Sequence, residues 1–415
     1  MVSVQFRDSD NDHERSLEEL GRLGETAGAE VVQVVFQRRE APDPKFFIGA
    51  GKAKEIGAIC ERKAIDLVIF DDELTGTQQR NLEGVIESKI IDRTRLILDI
   101  FRQRARTREG KLQVEFAHLS YLLPHLTGKG ASMSRQVGGI GFRGGPGEKK
   151  LEVDRRSIRD RISVLKKETE KIRMYRGLQR RKRHEASLPV IGIVGYTNSG
   201  KSTLLNILSD AGVLVEDKLF ATLDPTIRRV KLPDNQSVLF ADTVGFIRKL
   251  PHNIIAAFRG TLEEVIEADI LLHVIDASSR DRNDQRENVH AVLREIGADK
   301  KPIIDVFNKI DLVENKWQID KEINSSRYGI AVSALRKRGI EDLLNSVMHL
   351  LGPGRVRVLF SFPYDRQNLV SLVFQKGRVL RDKYTSRRVY LDAEVEESVV
   401  KRLSRFVCKS RVQFT

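Results

Sequence analysis

Hydrophobic and polar positions alternate in short blocks over the first quarter of the chain. Apolar runs at Val31–Phe36, Leu67–Phe70 and Leu96–Phe101 have the length and composition of buried strands. The stretches with helical spacing between them are Ser16–Leu23, Lys52–Arg62 and Thr77–Glu87. Because strands alternate with helices, the pattern predicts a small α/β domain with a largely parallel sheet over residues 1–105.

Between residues 106 and 185 the apolar positions recur at helical intervals instead. The first stripe comprises Leu112, Phe116, Leu119 and Leu123, and the second comprises Leu151, Ile158, Ile162, Leu165 and Ile172. These stripes predict two long antiparallel helices that bury them against each other. The connecting segment, Leu126–Gly147, is rich in glycine, and we expect it to project from the hairpin tip as a mobile cationic finger.

Residues 188–352 return to alternating strands and helices. The apolar runs are Val190–Val194, Val238–Ala241, Ile270–Ile275, Ile303–Phe307 and Ile330–Val332. This pattern predicts a doubly wound α/β domain, which binds ligands at the carboxyl ends of its strands. After a Gly-Pro-Gly linker, residues 353–415 predict a small α+β accessory domain. Its expected elements are, in order, strand, helix, strand, strand and helix at Val356–Phe360, Gln367–Phe374, Arg378–Tyr384, Arg388–Leu391 and Glu396–Phe406.

The composition is that of a soluble protein with several domains. Of 415 residues, 40% are hydrophobic and 31% are charged, and no apolar run approaches the ~18 residues that a membrane-spanning helix needs. The first residues lack the apolar centre of a signal peptide. Cys60 and Cys408 lie far apart and outside any metal-binding spacing, so the cysteines predict neither a disulfide framework nor a zinc site. We therefore expect a cytoplasmic protein without a membrane span.

The net charge of +14 is concentrated in one part of the chain. From Phe101 to Val190 there are 23 basic and 9 acidic residues, and this surplus equals the excess of the whole protein. A surplus so concentrated favours a surface that faces a polyanion such as a nucleic acid. The alternative is a solvated helical face that Lys and Arg keep soluble.

A phosphate-binding motif follows the first strand of the third domain. Its residues and the one after it are Gly195, Tyr196, Thr197, Asn198, Ser199, Gly200, Lys201, Ser202 and Thr203. Glycines let backbone N–H groups close around phosphates, and the following helix N-terminus favours negative charge. We expect Lys201 to contact the β- and γ-phosphates and the Ser202 hydroxyl to bind Mg²⁺. By itself this motif does not separate a GTPase from an ATPase or a small-molecule kinase.

A second motif, Asp242-Thr243-Val244-Gly245, closes the next strand about 40 residues later. The Asp242 carboxylate is expected to hold Mg²⁺ through water, and the Gly245 N–H is expected to sense the γ-phosphate. Loss of that phosphate would free the following loop, Phe246–Ile254, so that hydrolysis becomes a conformational signal.

The base-reading motif is Asn308-Lys309-Ile310-Asp311. The Asp311 carboxylate can accept hydrogen bonds from the ring N–H and the exocyclic amine of guanine, whereas adenine presents the wrong donors. Asn308 and Lys309 would brace the loop and pack on the base. Ser333, Ala334 and Leu335 complete the predicted pocket, in which the Ala334 N–H meets the guanine oxygen. The sequence therefore predicts GTP and GDP as the bound nucleotides.

Two features bear on the rate of hydrolysis. A threonine must close on Mg²⁺ in the triphosphate state, and we expect Thr222, with Thr226 as the alternative. The position after Gly245, where related switches orient the attacking water with Gln, holds Phe246. We assign Lys201, Thr222 and Gly245 to catalysis and expect slow intrinsic hydrolysis that a large partner accelerates.

With these motifs in place, the chain resembles the HflX family of translation-associated GTPases. The most specific segments of the resemblance are 47–52 (FIGAGK), 113–119 (QVEFAHL), 144–148 (GGPGE), 219–225 (LFATLDP) and 242–248 (DTVGFIR). The resemblance implies a GTPase that binds the large ribosomal subunit and its rRNA and splits or rescues stalled or idle ribosomes, often under stress. It also implies that the hairpin loop reaches toward the peptidyl-transferase region. We expect a monomer without DNA specificity.

Two other functions are compatible with the same motifs. One is a GTP-regulated RNA-binding factor in ribosome assembly, for which turnover is incidental. The other is a P-loop ATPase or RNA remodeller. The segment Gly49-Ala50-Gly51-Lys52 lacks the full phosphate-cradle spacing, and we interpret it as a turn between strand and helix and not as a second nucleotide site.

Overall fold

The computed structural model of the chain forms two compact units. The first contains Met1–Gly177 together with two later segments, Glu216–Asp224 and Val244–Leu262, and the second contains Leu178–Val215, Pro225–Thr243 and Glu263–Thr415. The structure describes residues 1–5, 12–126, 146–185, 188–209, 219–220, 223–224, 226–249, 251, 254, 259–352 and 355–408. The first of these segments contains Thr222, and the second contains Val244 and Gly245, all residues of the predicted nucleotide site.

The first unit is built on a four-stranded parallel sheet. Its strands are β1 (Val2–Gln5), β2 (Val35–Arg38), β3 (Leu67–Phe70) and β4 (Lys89–Asp92), in the order β2-β1-β3-β4. The helices between and after them are α1 (Asp12–Thr26), α2 (Ala50–Lys63), α3 (Gly76–Glu83) and α4 (Arg93–Arg104). The predicted parallel α/β arrangement is confirmed, whereas Gly49–Lys52 is not a turn after a strand but the N-cap and first residues of α2, since β2 ends at Arg38.

Two of the predicted strands are wrong or displaced. Leu96–Phe101 lies inside α4, where Asp92 accepts a hydrogen bond from the Arg95 N–H at 2.8 Å and caps the helix. Most of these side chains are buried on all sides of the helix, so the run carries no helical period. At Val31–Phe36 the strand begins only at Val35, and Val32 is half exposed.

The predicted helical hairpin forms with helices α5 (Arg108–His125) and α6 (Pro146–Glu185). Arg161 pairs with Glu115 at 2.7 Å and Arg108 reaches Glu168 at 3.7 Å. Since a later residue of α5 pairs with an earlier residue of α6, the helices are antiparallel, as predicted. Leu165 is buried, whereas Ile158, Ile162 and Ile172 are half-buried. Residues 127–145, where the cationic finger is predicted, lie outside the described residues.

The second unit carries a six-stranded sheet with one antiparallel edge. Its strands are β5 (Val190–Gly195), β6 (Thr226–Lys231), β7 (Ser237–Asp242), β8 (Ile270–Asp276), β9 (Ile303–Asn308) and β10 (Gly329–Ala331), in the order β10-β9-β8-β5-β7-β6. All pairs are parallel except β6 with β7. The helices along this part of the chain are α7 (Lys201–Leu208), α8 (Arg259–Glu267), α9 (Arg282–Glu295), α10 (Lys316–Ser325) and α11 (Ile340–Leu351). The doubly wound fold is confirmed, and β6 is the strand that the hydrophobic pattern missed.

The second unit ends in a small α+β domain. Its elements are β11 (Arg355–Pro363), α12 (Gln367–Lys376), β12 (Gly377–Tyr384), β13 (Arg388–Glu396) and α13 (Glu397–Arg402). The three strands form an antiparallel sheet in the order β11-β13-β12, and the predicted order of elements is confirmed. Within the described part of the chain, no helix combines the length and apolarity needed to cross a membrane.

Candidate nucleotide-binding site

The phosphate cradle lies between the end of β5 and the start of α7. Gly195 and Gly200 have φ angles of +153° and +95°, which L side chains rarely adopt. A Cβ atom on Gly195 would lie 2.3 Å from the Val274 carbonyl oxygen, and one on Gly200 would lie 2.3 Å from Asn308 Nδ2. The loop therefore needs both glycines, and Gly200 also makes room for the base-reading motif.

Lys201 is the charged residue at the centre of the cradle. Its side chain is buried, and its Nζ donates to the Tyr196 carbonyl oxygen at 2.7 Å, inside the loop itself. Burial lowers the pKa of Lys201 to about 8, an effect that the Asp242 carboxylate opposes and Lys309 reinforces. A desolvated ammonium group in this position gains a strong partner when phosphate oxygens enter the loop.

Two of the three residues predicted to hold Mg²⁺, Ser202 and Asp242, meet at the start of α7. The Ser202 hydroxyl donates to Asp242 Oδ2 at 2.7 Å. Mg²⁺ accepts oxygen ligands, here the hydroxyl directly and the carboxylate through water, so this pair of oxygens suits that ion. Thr243, the residue after Asp242, does not contribute to the Mg²⁺ site. Its buried hydroxyl donates to the Ile193 carbonyl oxygen at 2.7 Å and so connects the end of β7 to β5.

Two further hydroxyl groups of the cradle are buried. Thr197 Oγ1 and Ser199 Oγ have no hydrogen-bond partner among the described residues. A buried hydroxyl without a partner costs about 1–3 kcal/mol, and a bound ligand can remove that cost. The donor set of the loop therefore fits an anion such as the phosphate chain of a nucleotide.

Asn308 connects the cradle to the base-reading loops. Its Nδ2 donates to the Ser199 carbonyl oxygen at 2.9 Å, and its Oδ1 accepts from the Ala334 N–H at 3.0 Å. Because Asn308 is buried, these bonds fix the two loops relative to each other. The Ala334 N–H is expected to donate a hydrogen bond to the guanine oxygen, but in this structure it donates to Asn308 Oδ1. A hydrogen bond to guanine therefore requires this N–H to be shared between two acceptors.

The remaining base-reading residues are arranged around Asp311. Ser333 is buried, and its hydroxyl donates to Asp311 Oδ1 at 2.5 Å, which orients a carboxylate that is otherwise exposed. Lys309 adopts a left-handed backbone conformation (φ +61°) and pairs with Asp276 at 2.7 Å. Leu335 is exposed. An oriented, accessible carboxylate is what recognition of guanine requires.

The segment before β6 belongs to the first unit, where it packs on α4 and α5. Phe220 meets Phe101 edge to face, with ring centroids 4.6 Å apart. Asp224 accepts hydrogen bonds from the backbone N–H groups of Arg106 and Thr107 at 3.0 and 2.9 Å. Thr107 in turn caps α5. This short segment is thus anchored at the N-terminus of a hairpin helix.

Thr222 and Thr226 are the two candidates for the threonine that closes on Mg²⁺, and the structure describes only one of them. Thr222 lies outside the described residues. Thr226 opens strand β6 and pairs in register with Asp242, so the backbone of the alternative candidate is part of the sheet. The choice of Thr222 therefore stays a prediction.

The segment after Asp242-Thr243 also belongs to the first unit. Val244 and Phe246 are buried, and Val244 joins the same hydrophobic cluster as Phe220. Lys249 pairs with Asp71 at 2.7 Å and with Asp72 at 2.6 Å. Burial opposes ionisation of Asp71, but the charges of Arg93 and Lys249 outweigh it and hold the Asp71 pKa below its usual value. Gly245, the predicted phosphate sensor, lies within this anchored segment.

Sequence reasoning missed three of these residues. Asp224, Lys249 and Asp276 match no general motif, and their partners are 33 to 178 positions away along the chain. Only Asp224 had a signal, since it lies in the family-specific segment 219–225. The tertiary fold was needed to pair the other two.

The family models that match this chain and the known proteins similar to it are those of GTPases. Residues 14–102 match a family described as "GTP-binding GTPase N-terminal", residues 104–183 match "GTP-binding GTPase Middle Region", and residues 190–309 match "50S ribosome-binding GTPase". A GTPase HflX from Caldanaerobacter subterraneus subsp. tengcongensis is 46% identical over 399 residues, which cover 96% of this chain and 92% of that protein. The GTPase HflX of Escherichia coli K12 is 44% identical and covers 90% of this chain and 88% of its own length.

Among solved structures, a GTP-binding protein from the hyperthermophilic archaeon Sulfolobus solfataricus in complex with GDP is similar to this chain. The alignment covers 84% of this chain and 98% of that one, at 26% identity and with a TM-score of 0.43.

The strand order, the cradle after β5 and the Asn308 loop define a P-loop GTPase domain. The identity of 46% extends over almost the whole chain and beyond that domain. The chain belongs to the HflX family of GTPases, enzymes that hydrolyse GTP.

Proposed function

We propose that this protein is a GTP-dependent switch that binds the large ribosomal subunit and splits or rescues stalled or idle ribosomes. The observation that carries the proposal is the position of Glu216–Asp224 and Val244–Leu262 in the first unit. These segments contain Thr222, the expected Mg²⁺ ligand, and Gly245, the expected γ-phosphate sensor. We expect a change of nucleotide to alter these segments, which belong to the unit that contains the basic hairpin.

The chemistry follows from the placement of the chain's own groups. Lys201 and the backbone of the cradle bind and polarise the β- and γ-phosphates, while Ser202 and Asp242 would hold Mg²⁺, which neutralises charge that develops on them. Asp311, oriented by Ser333, selects guanine. Phe246 has no polar atom to orient the attacking water, so free turnover is slow and a partner must supply or order the missing group.

The basic hairpin is the part of the protein suited to rRNA. Among the described side chains of α6, the exposed basic ones are Arg156, Arg159, Arg161, Lys166, Lys167, Lys171 and Arg173. Phosphate contacts of this kind give binding that does not depend on base sequence, which agrees with the expected lack of DNA specificity. The family description of residues 190–309 as a 50S ribosome-binding GTPase supports the same partner.

Sedimentation with ribosomal subunits tests the proposal directly. The protein should co-sediment with large subunits in a non-hydrolysable GTP analogue and dissociate from them in GDP. Equal binding in both nucleotides would remove the link between the γ-phosphate and the ribosome.

Turnover measurements separate the alternatives. Large subunits should accelerate GTP hydrolysis by well over about tenfold, which corresponds to ~1.4 kcal/mol of barrier. A smaller effect favours an assembly factor in which turnover is incidental. Competition by ATP as strong as that by GTP would instead indicate an ATPase or RNA remodeller.

The base-recognition assignment has its own test. Asp311→Asn replaces one acceptor oxygen with a donor, so the preference of the protein for GTP over xanthosine or adenosine triphosphate should fall by orders of magnitude. Unchanged selectivity would show that another residue reads the base. Asp320→Asn, a change on an exposed face of α10, serves as the control.

A further inference from the structure

Three side chains with metal-binding atoms converge within the second unit, on one face of its sheet. His273 lies in the middle of β8 and Asp305 in the middle of β9, and the two are paired in register. His290 comes from α9 and meets His273 edge to face, with ring centroids 5.2 Å apart. No step of GTP binding or hydrolysis uses these residues.

The distances between the three groups suit a small cation. One ligand atom from each residue can be chosen so that all lie within 4.8 Å of one another. His273 Nδ1 lies 3.1 Å from Asp305 Oδ1. Ligands of a tetrahedral zinc ion are 2.0–2.2 Å from the metal and hence about 3.3 Å from each other. An ion could therefore replace the proton between His273 and Asp305 with a small movement of the side chains.

Neighbouring side chains hold the Asp305 carboxylate in an orientation that suits a metal ligand. Arg286 binds the other oxygen, Asp305 Oδ2, and also donates to Ser326 Oγ at 2.9 Å. A ligand carboxylate in metal proteins is commonly held by such an outer hydrogen bond, which fixes its direction. His273 and Asp305 are buried, whereas His290 is half-buried, so an ion would enter from the α9 side.

We propose that His273, His290 and Asp305 form a binding site for a zinc ion or a closely similar divalent transition-metal ion. Two imidazoles and one carboxylate are the ligands that zinc accepts when a fourth position stays open to water. Mg²⁺ prefers oxygen ligands only, so this site is chemically distinct from the pair Ser202 and Asp242. The cysteine spacing had predicted no zinc site, and this cluster contains no cysteine.

A bound ion would brace the guanine-reading edge of the sheet. Asp276 ends β8 three residues after His273, and Asn308 ends β9 three residues after Asp305. Asp276 holds Lys309, and Asn308 holds the cradle and the Ala334 loop. By cross-linking β8, β9 and α9, the ion would stabilise the strands from which these loops extend.

Titration calorimetry of the full chain with Zn²⁺ tests the site. The protein is first stripped with a chelator and then saturated with GDP and Mg²⁺, so that the nucleotide site is filled. We expect one Zn²⁺ per chain. His290→Ala should weaken binding by at least about tenfold, because it removes a ligand from a half-buried position. His290→Cys, which keeps a zinc ligand, should retain binding.

The matched control is His349→Ala, an exposed histidine on α11, which should bind Zn²⁺ as the unmodified protein does. Co²⁺ provides a second readout, since its visible absorption should appear in the unmodified and His349→Ala proteins but not in His290→Ala. Unchanged GDP affinity shows that each variant is folded. Equal Zn²⁺ affinity of His290→Ala and the unmodified chain, or no Zn²⁺ binding by either, would overturn the proposal.

Discussion

Because Gly200 has no side chain, the phosphate cradle and the Asn308 loop can lie close together. A Cβ atom added at Gly200 would lie only 2.3 Å from Asn308 Nδ2, and the backbone of Gly200 has a positive φ angle. Gly200→Ala should therefore displace Asn308 and lower GDP and GTP affinity by about a hundredfold or more, which equals ~2.7 kcal/mol. Fluorescent-nucleotide titration measures this change.

Gly51→Ala provides the comparison for that experiment. No atom lies within 4 Å of the Cβ position at Gly51, which is inside helix α2, and alanine favours a helix. Its nucleotide affinity should equal that of the unmodified protein. If Gly200→Ala bound nucleotide equally well, the close approach of the two loops would not matter for binding.

Lys201 makes nucleotide binding sensitive to pH. Its pKa of about 8 in the free protein means that part of the population is neutral near that pH. Phosphates favour the charged form and raise the pKa, so binding should take up a proton around pH 8, and affinity should fall as pH rises above that value. Calorimetry in buffers with different ionisation enthalpies measures the proton uptake, and none at pH 8 would contradict the assignment.

At the scale of elements, the segment Val244–Leu262 is anchored by an ion pair. Lys249 binds the buried Asp71 and the more exposed Asp72. Gly245, which we expect to contact the γ-phosphate, lies in the same segment, so weakening this anchor should favour the triphosphate form relative to the diphosphate form. We expect Asp72→Asn to raise the ratio of GTP-analogue to GDP affinity by up to about fivefold, as an exposed ion pair contributes ~0.2–1 kcal/mol.

Affinities for the two nucleotides measured side by side give this ratio. Asp320→Asn removes a comparable exposed carboxylate on α10, far along the chain from the anchored segment, and should leave the ratio unchanged. A ratio that stays constant in Asp72→Asn would show that the ion pair does not distinguish the nucleotide states.

At the scale of the whole molecule, the proposed binding to ribosomal RNA depends on the excess positive charge. If phosphate contacts dominate, affinity for large subunits should fall steeply as salt rises. Charge reversal at Arg143, Lys149 and Lys150 should weaken subunit binding by tenfold or more, at about 1 kcal/mol for each charge, without changing GTP affinity of the free protein. Sedimentation at several salt concentrations measures both effects.

Reversal of Lys300, Lys316 and Lys337 changes the net charge equally, using exposed lysines of the second unit. This variant should bind subunits more tightly than the first one. Equal losses in both would indicate a nonspecific effect of net charge, and a loss of nucleotide affinity in the first would indicate misfolding.

The sequence by itself determined the elements whose signals are local. A glycine loop before a helix, strand-ending Asp242 and the Asn308–Asp311 motif each need only neighbouring residues to be recognised. The doubly wound class follows from the alternation of strands and helices. The strand predicted at Leu96–Phe101 failed because complete burial removes the helical period on which the prediction depends.

Only the tertiary structure decided which distant residues meet. Asp224 at the start of α5, Lys249 against Asp71, and Asp305 beside His273 are pairings between residues far apart in sequence. Each depends on the packing of elements, which no local pattern encodes, since a charged side chain looks the same in sequence whether it is solvated or paired. The sequence thus predicted which residues could bind nucleotide, and the tertiary structure decided which distant residues hold them in place.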